Sequence, residues 1–425
     1  MSLQLLVILV PVILGMLGFA YDLGRLYLVR GELTDAANAM ALAGAQQLIG
    51  TTASLDNATA AAQLTLDDST GHSNKYNFGS LVVGQGTAFL SSEVQDSQFF
   101  TTAAAATGTD STSVDQADGT TARHIQVNVT ADAPLLFWSL LSVGQSRKTS
   151  IAARAVAGIS APVCTACSIQ NIAIAALSTD DTTDFGYTVG TQYTLGFSCT
   201  RSPGPGQTTP TGFSGTTLVP YVLADRDKAS SLDGPQNLYK IGADGLIAST
   251  SRTQSCLTVG DTATLWQDPD TQAYLTPQSC SNIQAPAGVI EMLCGMNTRL
   301  DTAIPDLCST DVAETDTLAA NYSPDTDVAT YDDYTQYTGN VRRILTVAIV
   351  DTLAATSDAT MTILGFRQFL INPNADGLIP YNDQWGRVPV LYIGSVVPVR
   401  QGYVGDRFQT GCTGISGPGK VVLHQ

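Results

Sequence analysis

The chain has 425 residues, of which only 13% are charged, and its formal net charge is −17. Such an acidic surface repels phosphate backbones and anionic headgroups, so nucleic acid and acidic membrane surfaces are poor partners. The length allows two or three domains, and abundant Thr, Ser, Gly and Ala with few Lys suit an outward-facing, β-rich body.

The first fifty residues organise everything that follows. Positions 1–20 are apolar almost without interruption, and 3–20 approaches the roughly 17–25 residues that cross a hydrocarbon core. Beyond them the spacing stays helical but becomes amphipathic: Leu23, Leu26, Tyr27, Leu33, Ala37, Met40 and Gly44 recur mostly at steps of three or four, while Arg25, Arg30, Glu32 and Asp35 lie elsewhere on the surface. One long helix is predicted over 1–50. A cleavable secretory signal does not fit, because no basic residue precedes Leu3 and 21–25 continue the helix where cleavage would fall.

Two environments can cover that helix, lipid or the core of a helical polymer. Basic flanks favour the cytoplasmic side, and Arg25 and Arg30 stand on the side of the body, which counts mildly against a plain anchor. Pro11 bends a helix and is tolerated among neighbouring helices. Gly15, Gly18, Gly24, Gly31 and the small residues of 36–45 permit close backbone approach. Leu5, Leu9, Pro11, Gly15, Gly18, Asp22, Arg25, Tyr27, Arg30, Ala37 and Gly44 are the expected packing positions, with Asp22 and Arg25 three residues apart and able to meet on one face.

The run Asp22-Leu23-Gly24-Arg25-Leu26-Tyr27, then Arg30, Leu33 and Asp35-Ala36-Ala37-Asn38-Ala39-Met40-Ala41-Leu42-Ala43-Gly44-Ala45, resembles the N-terminal signature of TadG-like proteins of tight-adherence (Flp) pilus systems. The chain departs from that pattern at Asn38, and Leu5 stands where pilin-like proteins often carry a carboxylate. The resemblance implies a pilus context, with the secretion machinery of the pilus as a partner.

Residues 53–66 read as a second, Ala-rich helix starting near Ser54 or Asp56. Strands are predicted at 81–90, 124–130 (HIQVNVT, near-strict alternation) and 149–156, with a low-complexity excursion at 101–121 and an apolar knob at 135–143. Eight cysteines follow: Cys164, Cys167, Cys199, Cys256, Cys280, Cys294, Cys308 and Cys412. An even count behind an export-type N-terminus points to disulfides formed in an oxidising compartment, whereas zinc at Cys164-x-x-Cys167 would need a second close pair or nearby His. Cys164 or Cys167 with Cys199, and Cys294 with Cys308, are the local pairings that spacing suggests. Beyond a turn-rich middle with one helix at 287–300, strands are predicted at 182–195, 217–222, 343–353, 359–370 and 388–399.

The fold class is therefore α+β: a long apolar helix, then a mostly antiparallel, sandwich-like or barrel-like β region with disulfides. Its domains are 1–50, 51–160 and 161–425. No nucleophile elbow, P-loop or His-Glu-x-x-His occurs, so neither enzymatic chemistry nor a cofactor is expected. Asn372, Asn374, Asp376 and Asp383 outline a weak calcium loop, with a plain Asn/Asp/Gly turn as the stronger alternative. The function expected is a structural subunit of an extracellular pilus-like filament that passes through the inner membrane and self-associates through its helices. The alternative is an envelope-anchored pilus-assembly or adhesion protein.

Overall fold

The computed structural model describes residues 2–65, 94–108, 118–135, 148–167, 169–170, 172–201, 210–225, 242, 256–265, 278–279, 285, 287–300, 323–353, 361–374, 377–381, 383–404 and 416–424. In chain order the elements are α1 (Ser2–Ala45), α2 (Ser54–Leu64), β1 (Val94–Phe100), α3 (Ala103–Thr107), β2 (His124–Pro134), β3 (Lys148–Ile159), β4 (Thr165–Cys167), β5 (Ile172–Ala175), β6 (Gln192–Phe197), β7 (Cys199–Arg201) and β8 (Thr217–Asp225). They continue with β9 (Leu257–Thr258), β10 (Thr262–Leu265), β11 (Gln278–Ser279), α4 (Ala287–Asn297), β12 (Ile344–Val350), β13 (Met361–Ile371), β14 (Val388–Gly394), β15 (Gln401–Tyr403) and β16 (Val421–His424). The chain divides into two units, Met1–Ile159 with Val421–Gln425, and Ser160–Lys420.

The first unit packs the second half of α1 on an antiparallel sheet of order β1-β2-β3-β16. Alternation along β2 sends Ile125, Val127 and Val129 to the helix side, all fully buried. Opposite them β3 offers Ala153, Ala155 and Ala157, and α1 answers with Leu33, Ala36, Ala37, Met40, Ala41 and Ala45. Small side chains on both surfaces bring backbone close to backbone. At Gly44 an added Cβ would lie 2.7 Å from Ile125 Cδ1 and 3.0 Å from the Ala58 carbonyl oxygen. Helix α2 completes this core through Leu55, Ala58 and Ala62, its entry held by the Thr51 N–H donating to Ser54 Oγ at 2.9 Å. On the far face of the sheet Phe100, Ala106 and Val156 form a small cluster with α3, which Thr102 caps through a 3.2 Å bond from the Ala105 N–H.

The second unit is a closed barrel. Strand order β12-β5-β8-β6-β14 is joined at both ends to β13, making six strands with no edge within that ring. The β12–β5 and β6–β8 pairings are parallel and the other four antiparallel. Leu345, Val347, Ile349, Phe369, Tyr193, Leu195, Tyr221 and Tyr392 share the principal core with Val289, Met292, Leu293 and Met296 of α4. Strand β12 (ILTVAIV) is buried along its whole length, because its alternate residues Ala348 and Val350 join a second core with Val163, Ala166 and Leu257. Those three belong to the layer around the small sheet β15-β4-β9.

Several expectations change. Residues 182–190 are turns rather than strand, with Phe185, Gly186 and Gly190 at positive φ, and β6 begins only at Gln192. Strand β14 stops at Gly394, which has φ +79°. The C-terminal strand, inside the 161–425 span of the sequence reading, instead pairs with β3 in the first unit. The predicted strand 81–90 and almost all of the 135–143 knob lie outside the described residues.

Because the contact between α1 and the sheet is already tight, Gly44→Ala should overpack it. We expect a loss of about 1–3 kcal/mol in the first unit, read as an earlier thermal transition.

Candidate functional site: the bare half of the N-terminal helix

Helix α1 has two halves with opposite surroundings. From Leu33 onward its apolar residues are covered by its own unit, whereas Val7, Leu9, Val10, Val12, Ile13, Leu14, Met16, Leu17 and Phe19 are all exposed. Leu14 is 61% and Met16 70% exposed, values that an apolar side chain of a water-soluble surface seldom shows in such a continuous run. The stretch 3–21 carries no charge and measures roughly 28 Å as a helix, close to the roughly 30 Å of a hydrocarbon core. Burying a large apolar side chain is worth about 1.5–3 kcal/mol, so covering this half-exposed row gains on the order of 10 kcal/mol, comparable with the whole stability of a domain. The row therefore requires an apolar partner. By length and composition α1 is long and apolar enough to cross a membrane over Leu9–Ala45, although only its first half is bare.

The predicted packing residues divide along the same line. Leu9, Pro11, Tyr27 and Arg30 are exposed, with Tyr27 at 78%, and Arg25 is half-buried. Pro11 lies inside the continuous helix, where it withholds the N–H that the Val7 carbonyl would receive. Gly15, Gly24 and Gly31 open onto free space, so a side chain there would meet nothing in the single chain. Gly18 is buried and so is Asp22, at 4% exposure, one turn further on in an otherwise bare stretch. The side chain of Leu5 lies outside the described residues. Ala37 and Gly44, by contrast, are consumed by the first unit's own core and are not available to another helix. Within the chain, the small residues of the second half serve the approach of α1 to its own sheet.

The calcium outline is occupied by internal bonds where it is described. Asn372 is buried and donates from Nδ2 to the Tyr331 carbonyl at 2.7 Å. Asp383 holds Arg387 at 2.7 Å and accepts from the backbone N–H groups of Trp385 and Arg387. Asn374 closes a turn, its carbonyl accepting from the Gly377 N–H at 2.9 Å, and Asp376 lies outside the described residues. No group of three or more His, Cys, Asp or Glu side chains suited to a metal occurs among the described residues.

Cys167 is bonded to Cys256, which ties β4 to the start of β9 and replaces the suggested Cys167–Cys199 pairing. Cys164 and Cys294 are disulfide-bonded as well. Cys280, Cys308, Cys412 and the side chain of Cys199 fall outside the described residues. Both cysteines of the Cys164-x-x-Cys167 pair are thus held in disulfides, and sequence spacing could not have found Cys256, 89 residues from Cys167.

With this geometry in place, comparison with known proteins adds one match. Residues 2–47, the helix and its exit, fit the Tad family model, described as "Putative Flp pilus-assembly TadE/G-like". Its position agrees with the signature read at residues 22–45, and it supports a role in tight-adherence pilus systems. No curated protein and no solved structure matches the chain.

Alkylation of the unreduced protein should leave Cys167 and Cys256 unlabelled, and the double change Cys167→Ala with Cys256→Ala should cost the second unit about 2–4 kcal/mol in denaturant unfolding. Labelling of either thiol without reductant would contradict the pairing.

Proposed function

We propose that the protein is a membrane-anchored component of a tight-adherence pilus system, held in the bilayer by the bare first half of α1 and displaying its two units outside the cytoplasm. The observation that carries this reading is the division of α1: the uncharged stretch 3–21 has about the length of a membrane crossing and its apolar residues from Val7 to Phe19 are exposed where described, while Ala36, Ala37, Ala41 and Ala45 of the second half are spent inside the first unit. Disulfides in the second unit support an oxidising location for the body. The family match at 2–47 supports the pilus context.

The second reading, a subunit of the filament itself, is favoured by Gly15, Gly24 and Gly31, where nothing within 4 Å obstructs a neighbouring helix. In that reading the same bare row moves from lipid into a polymer core.

The two readings separate on alkaline extraction and shearing of cells that make the full chain. For an anchor, the parent and Gly15→Leu both stay with extracted membranes. Val12→Arg, which places a cation at the helix centre at a cost of about 2.5–3.5 kcal/mol, loses that retention. Recovery of the parent in sheared high-mass fibres, with loss of those fibres in Gly15→Leu, would overturn the anchor reading in favour of the filament.

A further inference from the structure

Two of the chain's 3 histidines meet in the first unit, far in sequence from one another. His124 opens β2 and His424 closes β16; their rings stand 4.9 Å apart, edge to face. Both strands flank β3, with His124 opposite Gly158 and His424 opposite Val156. The seat is built for an imidazole. A Cβ on Gly158 would fall 2.1 Å from His124 Cδ2, so only glycine leaves room for the ring.

Neither ring has its hydrogen bonds completed. His124 is buried, its Nδ1 has no hydrogen-bond partner among the described residues, and the same holds for His424 Nε2. The Thr101 backbone is the one hydrogen-bonding neighbour that favours a proton on His124. A second proton would sit on Nδ1 with no acceptor, and an unsatisfied buried donor is costly. Among the described residues the groups around His124 include no anion: β1 and its exit offer Phe100 and the Thr101 backbone, β3 offers Gly158, Val156 and the Arg154 guanidinium, β2 is flanked by Arg123, and β16 brings His424. Arg154 is already engaged with Gln126 and the Ala106 carbonyl at 2.8 and 2.7 Å.

We propose that His124, packed edge to face against His424, is an acid-sensitive latch that seats β16 on β3 while its own ring is neutral and releases it when that ring becomes charged. Strand β16 contributes only four residues to the sheet and is the segment by which the chain re-enters the first unit. Its release would leave the two units joined at one crossing instead of two. Burial, followed by the His424 and Arg123 charges, holds His124 down to about 4 from an ordinary 6.5. A folded value below the unfolded one means that stability is fully present above pH 6.5 and is lost as the pH falls toward 4. Between pH 7 and pH 5 the opening equilibrium rises about 20-fold for His124 alone.

Hydrogen exchange on the full chain in detergent tests this, with β12 as an internal reference for the intrinsic effect of pH. Amides of β16 and of residues 156–159 should exchange about 20-fold faster relative to β12 at pH 5 than at pH 7. His124→Gln, which cannot charge, should flatten that ratio, whereas His424→Gln, which leaves the buried His124 in place, should keep a rise. The latch is overturned if the parent ratio does not change with pH, or if the rise survives in His124→Gln. Should His124→Gln not fold, His124→Asn decides on the same criterion.

Discussion

The first unit depends on one close approach, that of the second half of α1 to β2 and β3. Alanine faces alanine across that contact, with Ala36, Ala37, Ala41 and Ala45 on the helix and Ala153, Ala155 and Ala157 on β3. Large side chains on either side would hold the surfaces apart and leave voids, so small residues are what lets dispersion contacts reach backbone atoms. The contact also fixes the register of the helix. Once Leu33 and Met40 are buried, the apolar residues before Leu28 have no surface of their own unit left to cover them. The exposure of the first half is thus a geometric consequence of how the second half packs.

In the second unit the comparable constraint is barrel closure. Aromatic residues fill the interior: Tyr187 contacts Tyr193, Phe369 and Tyr392 with ring centroids 5.4–5.7 Å apart. The polar work is done by buried arginines used as staples. Arg343 donates from Nη1 to the carbonyls of Asp327 and Ala329 at 2.7 and 2.8 Å and lies over the rings of Tyr331 and Tyr337. Beside it Asp325 accepts from Tyr337 OH at 2.6 Å, so the segment from 323 to 343 is tied to the start of β12 by one network. Burial pushes the Arg343 guanidinium down, and Asp325 and Tyr337 offset part of that. Arg367 plays the same part for the turn at 182–185, donating to the carbonyls of Thr182 and Thr183 and lying over Phe185.

What the sequence makes legible follows from how local each signal is. The helix α1, the alternating strand β2 and the β-branched strand β12 are written in residues that touch one another, and all three are where periodicity puts them. The bare apolar half of α1 is legible for the same reason. The fate of its small residues is not, because Ala37 and Gly44 look alike whether they meet a foreign helix or the molecule's own sheet. Buried arginines give no warning either: Arg343 begins a strand in the sequence and is fully covered in the fold. Cys167–Cys256 and His124–His424 join positions that only the tertiary path brings together.

That path carries a requirement about order of folding. The first unit's sheet cannot be completed until β16 arrives, and roughly 260 residues separate it from β3. Closing a flexible loop of that length costs about 5 kcal/mol in chain entropy, more than four paired residues at a sheet edge would return. A folded second unit removes most of that cost, because it already holds its own ends together. The Ser160 N–H donates to the Lys420 carbonyl at 2.8 Å, the Lys420 N–H donates to Ser160 Oγ at 3.0 Å, and Val163 N–H reaches the Pro418 carbonyl at 3.0 Å. With those bonds made, the residues that follow Lys420 emerge beside those that precede Ser160, and β16 needs only to zip onto β3 from Ile159 and Val421 outward. Closure of the second unit therefore lowers the entropic cost of adding β16, whereas the contact of α1 with β2 and β3 is made within the first 159 residues and does not wait for it.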